Sequence, residues 1–121
     1  SLPPIIKAKK IQKKASKKGF DWKETIDVIK KVEEELAELK HEIQQNNKKK
    51  SQEELGDLLF SIINLSRHLK VDASEAINQA NHKFVKRFSL MEEEISKNAK
   101  EMDNLTSEEL EEFWVKIKLH E

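Results

Sequence analysis

Two pairs of acidic residues, each three positions apart, are the part of this sequence best suited to chemistry. Glu35 and Glu38 form the first pair, and Glu54 and Asp57 form the second. Residues three apart lie on one side of an α-helix, so each pair presents two carboxylates in the same direction. Four carboxylates that converge from two neighbouring helices make a site for a hard divalent cation. The sequence therefore predicts a metal site.

The same acidic pairs also have an ordinary explanation. Acidic residues number 23 among 121, so several such pairs arise by chance, and most belong to solvated helix faces. Glu54 has a further alternative role, because Ser51 precedes it by three residues in the pattern of an N-terminal capping box. A carboxylate folded back onto its own helix start does not easily bind an ion. Metal binding by Glu54 therefore requires that its helix begin before Ser51.

Two cationic residues, Lys83 and Arg87, lie four positions apart and so share one helix face. Like charges at this spacing cost about 0.2–0.5 kcal/mol unless an anion lies between them. A phosphate group would supply that anion, and the alternative is a solvated surface pair.

Helices must position these groups, because 121 residues with two glycines and two prolines leave little material for hairpins or phosphate-binding loops. Apolar spacing and helix-start signals predict five helices, over residues 4–18, 22–46, 51–69, 73–98 and 107–119. Capping boxes are predicted to start with Asp21, Ser51, Asp72 and Thr106. Short connections between long helices predict an all-α antiparallel bundle with a four-helix core and a short fifth helix, as one domain over residues 1–121.

The third predicted helix carries two different stripes. One is apolar and is expected to face the core: Leu55, Leu58, Leu59, Ile62 and Leu69. The other is polar and runs beside it, which suggests a lined pocket: Glu54, Asp57, Ser61, Asn64 and His68.

Composition excludes several classes of function. The absence of cysteine rules out disulfides and thiolate metal sites. Basic and acidic residues number 23 each, so no net charge favours nucleic acid as a partner. No apolar run approaches about 18 residues, and no signal-like segment opens the chain, so we expect a cytoplasmic protein that does not span a membrane. Because the sequence opens at Ser1 without methionine, an excised domain is one interpretation.

Three segments together resemble the MazG family: Lys31-Val-Glu-Glu-Glu-Leu-Ala-Glu38, Glu53-Glu-Leu-Gly-Asp-Leu-Leu-Phe60 and Ala80-Asn-His-Lys-Phe-Val-Lys-Arg-Phe88. The family pattern EExxE followed by ExxD falls on Glu34, Glu35 and Glu38, then on Glu54 and Asp57. Matching segments from Leu2-Pro3 to Glu112-Phe-Trp114 extend the resemblance over nearly the whole chain. The pattern is most similar to the C-terminal of the two tandem domains in many MazG proteins.

The resemblance implies an all-α nucleoside triphosphate pyrophosphohydrolase, which cleaves between the α- and β-phosphates and releases a nucleoside monophosphate and pyrophosphate. It implies Mg²⁺, with Mn²⁺ as a substitute, and attack on phosphorus by a water that the metal makes more acidic. The implied metal ligands, through which catalysis acts, are Glu35, Glu38, Glu54 and Asp57, with Glu34 as a further catalytic residue.

The resemblance also implies substrate contacts and a homodimer. Lys83 and Arg87 would hold the triphosphate, Lys31 and Lys50 would lie close to it, and Trp114 would line the nucleotide pocket. Trp22 as a platform for the base is our own addition.

Two alternatives remain at this point. One is a sister all-α enzyme, such as a dUTP or dCTP pyrophosphatase or a phosphoribosyl-ATP pyrophosphatase, with the same metal chemistry and a different base pocket. The other is a helical interaction module without catalysis, in which these carboxylates are only a surface.

Overall fold

The structure is a computed structural model that describes residues 2–121, and these residues form helices and turns only. The helices are α1 (Pro4–Lys17), α2 (Thr25–Gln44), α3 (Lys48–His68), α4 (Ala73–Lys97) and α5 (Ser107–Leu119), with a short 3₁₀ turn at Met102–Asn104. The predicted all-α class and the short fifth helix are confirmed. The chain divides into two compact units, Ser1–Ala76 and Ile77–Glu121.

In the first unit, α2 and α3 pack against each other, and α1 packs on α3. Only residues 45–47 connect α2 to α3, so the two helices form an antiparallel hairpin. The turn uses Asn46 with a positive φ of 56°, a conformation that asparagine tolerates better than most residues. The side chain of Gln12 fixes α1 to α3, since its Nε2 donates to the Phe60 carbonyl oxygen at 2.9 Å.

In the second unit, aromatic packing joins α4 to α5. The Phe84 ring lies 5.4 Å from Trp114 and 5.9 Å from Phe88, measured between ring centroids. Thr106 caps α5 in a complete capping box with Glu109, as predicted.

Two other predicted capping boxes are wrong. The N-cap of α2 is Glu24 without a side-chain hydrogen bond, because the Asp21 carboxylate is bound elsewhere. The N-cap of α3 is Asn47, whose Oδ1 accepts from the Lys50 N–H at 3.0 Å, so Ser51 lies inside the helix. At α4, the Asp72 carboxylate accepts from the Ser74 N–H at 2.9 Å.

The apolar stripe of α3 lies opposite to expectation, whereas the polar line does line a cavity. Ser61 and Asn64, from the polar line, are each only 6% exposed. Leu55, Leu59 and Ile62, from the apolar stripe, are 44–53% exposed. The prediction that this leucine stripe faces the chain's own core is therefore wrong, and Ser61 and Asn64 face inward instead.

Candidate metal and nucleotide site

The α2–α3 hairpin brings three of the four predicted acids together. Glu38 and Glu54 each stand eight residues from Asn46, so antiparallel packing places them opposite one another. One carboxylate oxygen from each of Glu35, Glu38 and Glu54 lies within 4.8 Å of the other two. We call these three residues the carboxylate cluster. Asp57, one turn further along α3, is outside the cluster but lines a cavity together with Glu35.

Two oxygens of the carboxylate cluster are buried without a partner. Oε2 of Glu35 and Oε2 of Glu54 make no hydrogen bond with any other part of residues 2–121. Glu35 is only 7% exposed as a residue, so its charge is largely removed from water. Burying a carboxylate oxygen without a hydrogen-bond partner is costly. An all-oxygen set with free buried lone pairs fits a hard divalent cation, which would satisfy both.

The raised pKa of Glu54 also favours cation binding at the cluster. Desolvation raises the pKa of Glu54, and the neighbouring Glu38 carboxylate raises it further, followed by the charges of Asp57 and Glu35. A bound positive charge would stabilise the ionised form of Glu54, which burial and the neighbouring carboxylates disfavour.

One cation already contacts the cluster. The Lys31 ammonium lies 3.1 Å from Oε1 of Glu35 and 3.6 Å from Oε1 of Glu34. The hydrogen bond to Glu35 is the main cause that raises the pKa of Lys31. Glu34 itself points outward, with a side chain that is 59% exposed.

The early start of α3 matters for Glu54. Because Asn47 provides the cap, Glu54 lies in the second turn of the helix and is not needed to close its N-terminus. Its carboxylate is free to join the carboxylate cluster. Lys50 lies in the first turn of α3 with an exposed side chain.

One cavity adjoins the cluster at Glu35, and a second cavity shares part of its wall. The first, of about 150 Å³, is lined by Lys31, Glu35 and Asp57 at one end and by Trp22, Phe60 and Asn64 at the other. The second, of about 190 Å³, shares Trp22, Phe60 and Asn64 and extends toward α1. Together they lie at the lower end of the ~300–1,000 Å³ typical of ligand pockets.

Asp21 anchors the loop that carries Trp22. Its Oδ1 accepts from the Trp22 backbone N–H at 2.9 Å, and its Oδ2 accepts from the Ser16 hydroxyl at 2.9 Å. From α3, the Arg67 guanidinium donates to Oδ1 at 2.8 Å, and the His68 Nε2 lies 2.8 Å from the same oxygen. Because a carboxylate only accepts, Nε2 of His68 must carry a proton. The Arg67 hydrogen bond is the main reason that the pKa of Asp21 lies far below its usual range.

The remaining predicted site residues belong to the second unit. Arg87 forms a two-point ion pair with the Glu121 carboxylate, at 2.6 and 2.8 Å. The Lys83 charge also helps to lower the pKa of Glu121, after the larger effect of Arg87. The anion beside this cationic pair is therefore Glu121. Trp114 is half-buried against Phe84.

Comparison with known proteins decides the family. The family model described as the MazG nucleotide pyrophosphohydrolase domain matches residues 23–89, which include the whole carboxylate cluster. The chain belongs to the MazG family. It is 47% identical over 117 residues to the nucleoside triphosphate pyrophosphohydrolase/pyrophosphatase MazG of Thermotoga maritima, covering 97% of this chain. It is 41% identical over 123 residues to the nucleoside triphosphate pyrophosphohydrolase of Escherichia coli K12, covering all of this chain.

The chain spans about half the length of these MazG relatives, 45% of the first and 47% of the second. Within residues 2–121, no helix is both long and apolar enough to cross a membrane.

Sequence reasoning missed the residues that support Trp22 in this MazG domain. Asp21 and Arg67 are 46 positions apart, and no local spacing connects them. The one available signal was the polar line of α3, which ends at His68, beside Arg67. The contact of His68 with Asp21 is structural.

Proposed function

We propose that this MazG domain hydrolyses nucleoside triphosphates to nucleoside monophosphates and pyrophosphate, with a divalent cation as cofactor. The observation that carries the proposal is the carboxylate cluster with its two unpartnered buried oxygens. The names of the two full-length relatives support the reaction class, since both are nucleoside triphosphate pyrophosphohydrolases.

The proposed metal ligands are the cluster residues Glu35, Glu38 and Glu54, with Asp57 as the fourth. We propose Mg²⁺ as the cation, with Mn²⁺ as a substitute, because hard cations prefer carboxylate oxygens. When bound, such a cation neutralises phosphate oxygens and lowers the pKa of a nearby water. Glu35 holds its position through burial, and in the absence of a cation its Oε1 is paired with Lys31.

The proposed substrate contacts divide between phosphate and base. Lys31 is the cation nearest the cluster, so it is suited to a phosphate oxygen, and Lys50, Lys83 and Arg87 are proposed to bind the same chain of phosphates. Trp22 is proposed as the platform for the base, because it lines the cavity that reaches Glu35. Trp114 is proposed to line the nucleotide pocket, and Glu34 to act in catalysis beside Lys31.

We also propose that the protein is a homodimer. Among residues 2–121, only four apolar residues are buried, with at most 9% of their surface exposed: Ala8, Val28, Met91 and Ile95. The apolar stripe of α3 stays about half exposed, and contiguous apolar surface of this kind usually marks an interface. A second copy of the chain is the partner that the family resemblance implies. A cytoplasmic location and a single domain over residues 1–121 stay predictions from the sequence.

The test is pyrophosphate release from a panel of ribo- and deoxyribonucleoside triphosphates, with Mg²⁺ and with EDTA. We expect Mg²⁺-dependent release with a monophosphate as the second product. Glu35→Gln should abolish turnover with helix content unchanged by circular dichroism. Glu33→Gln, the same change on an exposed position of α2, should keep wild-type activity. Release of inorganic phosphate instead, or activity in EDTA, would contradict the proposal.

A further inference from the structure

The side-chain amide of Asn64 is held in one orientation. Asn64 is only 6% exposed, and its Oδ1 accepts two hydrogen bonds from Arg67, from Nε at 3.1 Å and from Nη2 at 2.9 Å. A guanidinium can only donate, so the atom that faces Arg67 must be the oxygen. The amide nitrogen Nδ2 therefore points away from Arg67, and it makes no hydrogen bond within residues 2–121.

Asn64 also lies at the place where the two cavities meet. It belongs to the walls of both, together with Trp22 and Phe60. An amide with an unused donor that is not sealed from solvent, on a cavity wall shared with two aromatic residues, is a suitable contact for a flat polar ring.

The position of Asn64 along α3 separates it from the acids by a useful distance. Asn64 follows Asp57 by seven residues, which is about two helical turns or ~10.5 Å along the axis, in nearly the same direction. The metal end and the Asn64 end of the groove are therefore distinct. In a nucleotide, a sugar likewise separates the phosphates from the base.

We infer that Asn64 is a specificity-determining residue that reads the base through Nδ2. An N–H donor matches a keto oxygen and opposes an amino group at the same ring position. Bases with a keto group there, such as uracil and hypoxanthine, are accepted, and their amino counterparts, cytosine and adenine, are disfavoured. This inference rests on the proposed pyrophosphohydrolase function and names its substrate preference.

Arg67 and Asp21 are positioning residues in this scheme. The Asp21 carboxylate holds the Arg67 guanidinium at 2.8 Å, and the guanidinium fixes the Asn64 amide. The same carboxylate accepts from the Trp22 backbone N–H. Asp21 therefore positions both the Asn64 donor and the Trp22 ring.

Two matched pairs of substrates test the inference with the unaltered protein. UTP and CTP differ between keto and amino at one ring position, and so do ITP and ATP. We expect kcat/KM to favour the keto member of each pair by about tenfold, since an unpaired buried donor costs roughly one hydrogen bond. Equal values, or a preference for the amino members, would overturn the inference while leaving the proposed function in place. Failure to hydrolyse any of the four would overturn both.

Asn64→Asp tests the residue itself. The variant keeps the shape and the contact with Arg67 but replaces the donor by an acceptor, so the keto-to-amino ratio of kcat/KM should fall at least about tenfold. Asn104→Asp makes the same change at an exposed position and should leave the ratio unchanged. An unchanged ratio in a folded Asn64→Asp protein would refute the assignment.

Arg67→Lys is the second variant, and it covers the case in which Asn64→Asp does not fold. Lysine removes the two-point contact and frees the Asn64 amide to rotate, so the keto-to-amino ratio of kcat/KM should move toward one. A purely structural role of Arg67 would lower kcat/KM equally for both members of each pair, and that result would refute its positioning role.

Discussion

Glu38→Gln should make the metal-free protein more stable and at the same time abolish its response to Mg²⁺. The substitution keeps the size of the side chain and removes one negative charge from the carboxylate cluster. Glu38 is exposed and makes no ion pair within residues 2–121, so the loss of its charge removes repulsion without removing a partner. Stability and metal binding should therefore change in opposite directions.

The magnitude follows from the separation of Glu35 and Glu38, whose ligand oxygens lie within 4.8 Å. Two charges at this distance repel by about 3.5 kcal/mol at an effective dielectric constant of ~20, and by about 0.9 kcal/mol at that of water. Because Glu38 is exposed, the lower figure applies, and we expect a gain of about 1 kcal/mol. For a domain of this size, this corresponds to an increase in Tm of about 4 °C.

Thermal unfolding followed by circular dichroism, in EDTA and in excess MgCl₂, measures both effects. Wild-type protein should gain about 2.7 kcal/mol when free Mg²⁺ is about 100 times Kd, and the variant should gain little. Glu33→Gln, an exposed change on the same helix, should behave like wild type in both buffers. A variant that is less stable than wild type in EDTA, and still stabilised by Mg²⁺, would refute the reasoning.

Three further substitutions test other parts of the structure. Asp21→Asn should lower the free energy of unfolding by about 1–2 kcal/mol at pH 7, measured by urea unfolding. Because hydrogen bonding from Arg67 lowers the pKa of Asp21, the stability difference between wild type and variant should keep its full size above about pH 4 and shrink as the pH falls further. A difference that grows in acid would contradict it. Glu121→Gln releases the Arg87 guanidinium, so KM for the triphosphate should fall a few-fold at unchanged kcat, whereas a higher KM would place Arg87 outside the site. Leu59→Lys should convert the proposed dimer to monomers in sedimentation velocity, and an unchanged mass would exclude the α3 stripe as the interface.

Local signals in the sequence locate the helices well, because caps and turns act within a few residues. The predicted ends of α1, α4 and α5 agree with the structure to within one residue. The start of α3 was harder to predict, since Asn47 and Ser51 are both good N-cap residues and only the observed hydrogen bond selects Asn47. That choice also determines whether Glu54 is available to the carboxylate cluster.

Periodicity showed which residues share a face of α3 but not which face lies inside. The expectation assumed that leucines face the core of their own chain, whereas Ser61 and Asn64 occupy that position. A stripe that packs against a partner has the same sequence pattern as one that packs internally. The hydrogen bonds around Asp21 could not be predicted from the sequence for another reason. Contacts between residues 46 positions apart depend on how the helices pack.

The Lys31 ammonium, 3.1 Å from Glu35, makes cation binding an exchange reaction. A tethered ammonium is present at a high effective concentration, so monovalent ions in solution gain little by competing with it. A divalent ion bound at Oε1 of Glu35 would release the ammonium, and the released charge would be available to a phosphate group of the proposed substrate. Each of the two ligands lowers the cost of binding the other, so metal and triphosphate should bind cooperatively, and by linkage the cooperativity must be equal in both directions.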